Sequence, residues 1–408
     1  MVSNLRKNVF TPADILLPAG AAMENWSVIA CDQFTSQRDY WDRVRERVGD
    51  APSTLNMIIP EAYLDGTDER EANARISAAM EDYTKRGILR EVTDSYIYVE
   101  RTLTDGRVRR GIVGTVDLEE YDFSGGEASI LASEHTDVGR LPARIGVRRA
   151  ALLELPHIIT FIDDKEATVI EPLAAKADRL PLLYDFELME GGGRIRGMRV
   201  TGGDAAGISA AMRSLQDKSG TLMVMGDGNH SLAAAKVCWN EIKQGLNDSE
   251  REDHPARRAL VEVNNVYDPA VSFEAIHRVL FDVDPADYIK KFTAEAPSGD
   301  DYRLRWISRG QEGVAGVSAA CIGDMLTLVQ EFTEEYAAGA GCRIDYIHDA
   351  DTAERLAREE DCLVLMLPPM DKSELFGTVE KSGVFPKKSF SVGHARDKRY
   401  YIECRIIK

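Results

Sequence analysis

The chain has 408 residues, 44% of them hydrophobic and 29% charged, and its 50 basic against 68 acidic side chains leave a formal charge of −18. At about 100–200 residues per domain the length excludes one ordinary core, and the near-average composition excludes a disordered or fibrous chain. The acidic balance repels a polyanion, which excludes wholesale nucleic-acid binding but leaves room for a small anion held by local arginines and backbone amides.

The apolar runs Leu222 to Met225 and Cys362 to Pro369 fall short of the roughly 18–20 residues that cross a bilayer, so no membrane partner is expected. The first segment carries Arg6, Lys7 and Asp14 where a secretory signal has an apolar core, so a cytoplasmic location is expected. Six cysteines without a CxxC pair read as reduced core thiols and not as a disulfide framework or zinc site.

In chain order, Gln37 to Val48 predicts a charged helix holding Tyr40 and Trp41. A second helix follows, capped by Thr67 or Asp68, with Ala72, Ile76, Met80 and Tyr83 on one face and Gly87 at its end. Tyr96 to Leu103 and Val108 to Leu118 flank Asp105-Gly106, a strong hairpin signal. Strands are expected at Ile158 to Ile162, Leu182 to Met189 and Ile195 to Thr201, with a helix from Asp204 to Gln216 and a turn at Gly191-Gly192-Gly193.

The run Thr221 to Met225 predicts a buried strand that feeds Gly226-Asp227-Gly228-Asn229-His230 and then a helix faced by Leu232, Ala235, Trp239 and Ile242. After a strand at Ala259 to Val266, the last third alternates. Helices are expected at Leu326 to Ala338, Thr352 to Glu359 and Lys372 to Lys381, and strands at Arg343 to Ile347, Leu363 to Leu367 and Tyr400 to Ile407. The fold class is therefore mixed α/β, in three regions: an N-terminal α/β region with a hairpin (1–125), a central catalytic region (126–282) and a C-terminal α/β layer (283–408).

Chemistry centres on Met225 to Ser231. Two glycines bracket Asp227 at a strand-to-helix junction, which lets a ligand approach the backbone near a helix N-terminus that favours an anion. Asp227 can bind a metal or take a proton, and His230 can donate to a phosphoryl oxygen; a tight turn with a surface histidine remains an equal reading. The segment is neither a Walker A box nor a dinucleotide GxGxxG. Glu134-His135-Thr136, followed by Arg140 and Arg144, offers a base and a phosphate clamp, or simply loop residues. Lys387-Lys388-Ser389, near Lys398 and Arg399 in sequence, reads as a basic patch or a solvated run. His277-Arg278 and Asp32 stay similarly open.

Together these boxes resemble the bacterial and archaeal family called domain of unknown function number one thousand and fifteen. The match runs through Arg110-Gly111-Ile112, Glu134-His135-Thr136, Arg140, Gly226 to Ser231, Asp268-Pro269, His277-Arg278 and Pro386 to Ser389. The family's box reads Ala-Asp-Gly-His-His-Arg; Asn229 stands for its first histidine and Ser231 for its arginine. The aromatic-Pro-Lys ending after Lys388-Ser389 is also missing.

The same box is similar to that of the ParB/sulfiredoxin superfamily, which includes free-serine kinases. The resemblance implies a ParB/sulfiredoxin-like central unit and a small-molecule kinase that uses ATP, ADP or pyrophosphate to phosphorylate free L-serine or a related hydroxy metabolite. It would make Glu134 the base, have Asp227 hold Mg²⁺ or orient the hydroxyl, place His230 and the helix amides on the transferred phosphoryl group, and have Arg140 and Arg144 neutralise the donor. His135, Thr136, Gly228, Asn229, Ser231, His277, Arg278, Lys387, Lys388 and Ser389 would complete the substrate and phosphate contacts. The alternative is a ParB-like nucleotide-binding regulatory protein without turnover. The oligomeric state stays open, with a homodimer among the possibilities.

Overall fold

The computed structural model describes residues 8–408 apart from position 65, together with the backbone but not the side chain of Arg140. The chain is mixed α/β and divides into two compact units. Unit 1 comprises 8–132, 136–271 and 394–408; unit 2 comprises 133–135 and 272–393. Among the described residues no helix is long and apolar enough to cross a membrane.

Unit 1 is organised by one large mixed sheet. Its main strands are β1 (Ala13–Pro18), β2 (Leu89–Thr102), β3 (Val108–Asp117), β4 (Ile159–Ile162), β5 (Leu182–Glu187), β6 (Arg194–Val200), β7 (Met223–Asp227) and β8 (Arg258–Asn265). The order along the central path is β7-β4-β8-β3-β2-β6-β5, with β1 added against β2. Most neighbours are antiparallel, but β8 runs parallel to β4. The hairpin expected at Asp105-Gly106 joins β2 to β3, and Gly106 supplies the left-handed residue with φ +87°.

Around this sheet lie α1 (Arg38–Val48), α2 (Glu69–Lys85), α3 (Leu141–Ala150), α4 (Gly202–Lys218) and α5 (Asn229–Ile242). Asp68 caps α2 by accepting the N–H groups of Arg70 and Glu71. The apolar face of α5, Leu232, Ala235 and Trp239, joins Met223, Met225 and Ile158 in the main core. Trp239 donates its indole N–H to Glu119 at 2.6 Å, so the ring buries its apolar area without stranding its polar atom.

Unit 2 is a five-stranded antiparallel sheet with helices. Its strands are β9 (His277–Phe281), β10 (Tyr302–Ser308), β11 (Gln311–Val317), β12 (Arg343–Ile347) and β13 (Cys362–Met366), in the order β11-β10-β13-β9-β12. Its helices are α6 (Pro285–Glu295), α7 (Ile322–Ala340), α8 (Ala350–Glu359) and α9 (Glu374–Ser382). Ala353 and Ala357 of α8 pack on Val279, Ile307 and Val364. Tyr288 and Phe292 of α6 meet Phe332 of α7 with ring centroids 5.2 Å apart.

The strand expected over Tyr400 to Ile407 does not form. Only Arg405–Ile406 pairs, with Leu153–Glu154, while Cys404 and Tyr400 make single bridges to Leu16 and Ile29. All of Tyr400 to Cys404 is buried, so this apolar run threads between other elements and has no second, solvated face to alternate with. Lys398 and Arg399 likewise are not part of a solvent-facing patch, because both are buried against carboxylates of unit 1.

Candidate functional site

The corner between β7 and α5 is built by its two glycines. Met223, Val224 and Met225 are completely buried, which fixes the strand end against β4. A Cβ at Gly226 would overlap the Phe161 ring. Gly228 has φ +80° and ψ 24°, and a Cβ there would stand 3.0 Å from Ile158. Glycine therefore permits both the left-handed reversal and the close approach. Ser231 and Leu232 already donate to the Gly228 carbonyl at 3.0 and 3.1 Å, and no side chain caps the helix. The positive end of the α5 dipole faces the groups gathered at this turn.

Those groups carry compensating charge. Asp227 accepts the Gly228 N–H at Oδ1 (2.9 Å), and its Oδ2 lies 3.3 Å from the Lys398 ammonium, with side chains 18% and 10% exposed. His230 accepts the Asp137 N–H at Nε2, 3.2 Å away. An accepting Nε2 carries no proton, so the donor of this ring is Nδ1–H. Asp137 in turn caps the short turn 138–140 through the Gly139 N–H. The Thr136 hydroxyl is buried with no hydrogen-bond partner. Arg140 ends this turn, and its side chain lies outside the described residues.

A second polar group lies beside the first. Arg144 of α3 pairs with Glu61. Burial works against the Arg144 charge, but Glu61, Cys31 and Asp32 outweigh it and raise the guanidinium above its usual value. Burial also opposes the charge of Asp32, yet His157, a hydrogen bond from Gln33, Arg144 and Lys398 together hold its carboxyl below the usual range. Because Lys398 contacts Asp227 and acts on Asp32, it links the two groups. The Cys31 thiol, pushed up to about 12 chiefly by burial, is no nucleophile at neutral pH.

In unit 2, Glu134 makes a parallel bridge with Phe385, fixed by His135 donating to the Phe385 carbonyl (3.1 Å) and Phe385 donating to Ser133 (2.7 Å). Arg278 is fully buried; it donates to Ile276, to the Lys388 carbonyl at 2.9 Å and to Gln330 at 3.0 Å. Burial pushes its guanidinium down to about 10, with the Tyr346 and Glu134 charges acting in the opposite sense. His277 accepts the Leu367 N–H at Nδ1 (3.1 Å), and burial followed by Arg278 lowers its pKa. Lys387 pairs with Glu334 at 3.1 Å, Lys388 adopts φ +61°, and the buried Ser389 hydroxyl donates to Pro386 at 2.6 Å.

The residues singled out in the sequence thus fall into two sets. Unit 1 holds Thr136, Arg144, Asp227, Gly228, Asn229, His230 and Ser231; unit 2 holds Glu134, His135, His277, Arg278, Lys387, Lys388 and Ser389. Sequence reasoning missed Lys398, His157, Tyr401 and Glu61 as neighbours of the first set. Their separations in the chain carry no periodic signal.

These features define a mixed α/β protein with a strand-turn-helix corner flanked by an ammonium and an imidazole. Residues 14–339 match the family described as protein of unknown function (DUF1015), and the chain belongs to that family. No curated protein matches the sequence. Among solved structures, the chain is similar to a free serine kinase in complex with AMP, with 10% identity, 71% of this chain and 90% of that one covered, and a TM-score of 0.38. It is also similar to a conserved hypothetical protein from Pyrococcus furiosus (12% identity, 72% and 94% covered, TM-score 0.35). A third is SbnI with a C-terminal truncation from Staphylococcus aureus (12% identity, 69% and 82% covered, TM-score 0.37).

Proposed function

We propose that this protein is a small-molecule kinase that transfers a phosphoryl group from pyrophosphate, ADP or ATP to the hydroxyl of free L-serine or a related hydroxy metabolite. The observation that carries the reading is the corner at Gly228: a helix N-terminus, the buried Lys398 ammonium and His230 converge where Asp227 ends its strand. Phosphoryl transfer needs little covalent chemistry from the protein, and most of its rate comes from in-line positioning and charge neutralisation. A dipole, an ammonium and an imidazole N–H are the groups that task uses. The likeness of this box to that of free-serine kinases supports the same reading.

In this reading Lys398 and the first turn of α5 bind the transferred phosphoryl group, and His230 donates from Nδ1. Among the described residues no cluster of three His, Cys, Asp or Glu could hold a metal by itself. Mg²⁺ is commonly held by one or two carboxylates together with substrate phosphates, a requirement that Asp227 meets as a single carboxylate. Mg²⁺ bound with the donor supplies neutralisation of phosphate charge.

The test is to incubate the protein with Mg²⁺, L-serine and each donor in turn and to assay O-phosphoserine. Formation of O-phosphoserine that Asp227→Asn abolishes is the expected result. Nucleotide binding without turnover on serine or other small hydroxy compounds would replace the kinase by a ParB-like nucleotide-binding regulatory protein.

A further inference from the structure

We infer that unit 1 contains, beside the first turn of α5, a binding site for a small molecule with an apolar body and a single oxygen head, such as a branched or aromatic alcohol of about six to eight heavy atoms. A cavity of about 170 Å³ lies there, and Ser231 and Ala234 of α5 form part of its wall. Most of the rest is hydrocarbon, from Met57, Ile58, Met80, Val147 and Leu155. An apolar cavity of about 150 Å³ stays dry and takes up benzene, so this one accepts a ring or a branched chain of that size. The side chain of serine, one carbon and one oxygen, would leave most of it empty.

The polar atoms on the wall show what kind of head fits. Arg144 and Glu61 are engaged with each other. The Tyr401 hydroxyl accepts the Cys31 N–H at 3.3 Å and meets His157 Nδ1 at 2.9 Å. In the tautomer in which that hydroxyl gives its proton to Nδ1, the ring proton of His157 sits on Nε2. His157 is 4% exposed and lines the cavity, yet its Nε2 has no hydrogen-bond partner. The nearest carboxylate oxygen, Asp32 Oδ2, is 3.8 Å away, too far for a hydrogen bond. A buried donor left unpaired costs about 1–3 kcal/mol. A ligand oxygen placed at the Nε2 end removes that cost while the rest of the ligand covers hydrocarbon.

The occupant is therefore a neutral or singly charged small molecule that presents one acceptor oxygen to His157. Occupancy of the cavity stands on these observations alone, whereas its role as the subsite for the body of the phosphoryl acceptor rests on the kinase reading.

Saturation-transfer NMR on the full chain, with no phosphate donor present, tests it with 3-methylbutan-1-ol, benzyl alcohol, toluene and L-serine as probes. The two alcohols are expected to bind and to displace one another, benzyl alcohol more tightly than toluene because only it satisfies His157. His157→Phe removes that preference. Ala143→Phe and Val147→Phe, which fill the cavity from α3, weaken benzyl alcohol by at least about tenfold, and melting temperatures show which variants remain folded. Absence of binding by either alcohol to the unmodified protein overturns the inference, as does binding that His157→Phe and both filling variants leave unchanged in folded protein. Alcohol binding without phosphorylation of serine or of any other small hydroxy compound would leave the site standing and the kinase reading refuted. Formation of phosphoserine with no alcohol bound would do the reverse.

Discussion

Replacing Lys398 by methionine removes the ammonium that faces Asp227 and keeps most of the side-chain volume. At 3.3 Å the attraction between the two charges is about 1.3 kcal/mol at the dielectric of water and about 5 kcal/mol at an effective dielectric of about 20. With side chains 10% and 18% exposed, the pair belongs toward the second figure, but the cost of desolvating both ions offsets part of it. Lys398→Met should therefore destabilise unit 1 by about 2–3 kcal/mol, through the carboxylate it leaves behind. Asp227→Asn should cost less, and the double variant should fall short of the summed losses by about 1–3 kcal/mol. Urea unfolding followed by tryptophan fluorescence measures this in a Trp306→Phe background, because Trp306 lies in unit 2 while Trp26, Trp41 and Trp239 lie in unit 1. Pyrophosphate affinity should drop about tenfold in the same variant, equivalent to about 1.4 kcal/mol. An unchanged urea midpoint for Lys398→Met, with strictly additive single and double variants, would show that the ammonium does no work at the corner.

Gly226→Ala places a methyl group against the Phe161 ring and should cost about 1–3 kcal/mol, a loss that Phe161→Leu partly restores in thermal melts. Arg399→Met leaves Glu403, 2.7 Å from the guanidinium, without that cation and Glu262, 2.8 Å from it, with the more distant Arg109 at 3.9 Å, both carboxylates being at most 2% exposed; it should cost about 3–5 kcal/mol, measured by circular dichroism, and adding Glu262→Gln and Glu403→Gln should return part of it.

Burial raises the carboxyls of Glu154 and Glu262 but is outweighed, for Glu154 by Arg405 and Arg148 and for Glu262 by Arg399 and Arg109, so both are held low. A depressed carboxyl contributes stability above its unfolded value, about 4.3 for glutamate, and loses it as pH falls through the folded value. His277 is also depressed, so unit 2 should begin to lose stability earlier, as pH falls below the unfolded histidine value of about 6.5. Melts of unit 2 followed through Trp306 that stay flat from pH 7 to 5 would contradict the second claim.

Much of the fold was legible because its signals are local. The Asp105-Gly106 hairpin, the Asp68 cap of α2 and the strand that runs into Gly226 depend on neighbours in sequence. The hairpin of β10 and β11 has a weak sequence signal because Arg309-Gly310 makes its turn, with φ +46° and +76°, and Arg-Gly lacks the Asn or Asp that usually marks such a turn. Helix α6 has its signal in Asp284-Pro285, a cap followed by proline at the first helical position. At the site, the glycines and Asp227 could be read because a turn dictates them. Lys398, His157, Tyr401 and Glu61 reach it through tertiary packing from distant parts of the chain, and no spacing rule encodes that.

The departures of this chain from its family's box bear on the same corner. By the resemblance of the two boxes Ser231 stands in the place of an arginine, and Ser231 is part of the wall of the cavity beside α5. A serine there leaves the cavity open, while positive charge near Asp227 comes from Lys398 on the C-terminal segment. Ser231→Arg should then do two things that are measurable separately. The longer side chain should occupy the cavity and block benzyl alcohol, and the second cation near α5 should tighten pyrophosphate binding and steepen its dependence on salt. Loss of alcohol binding without any gain for pyrophosphate would mean that position 231 addresses the cavity alone. If neither changed in a folded variant, Ser231 would be incidental and the link drawn between the cavity and the corner would fail.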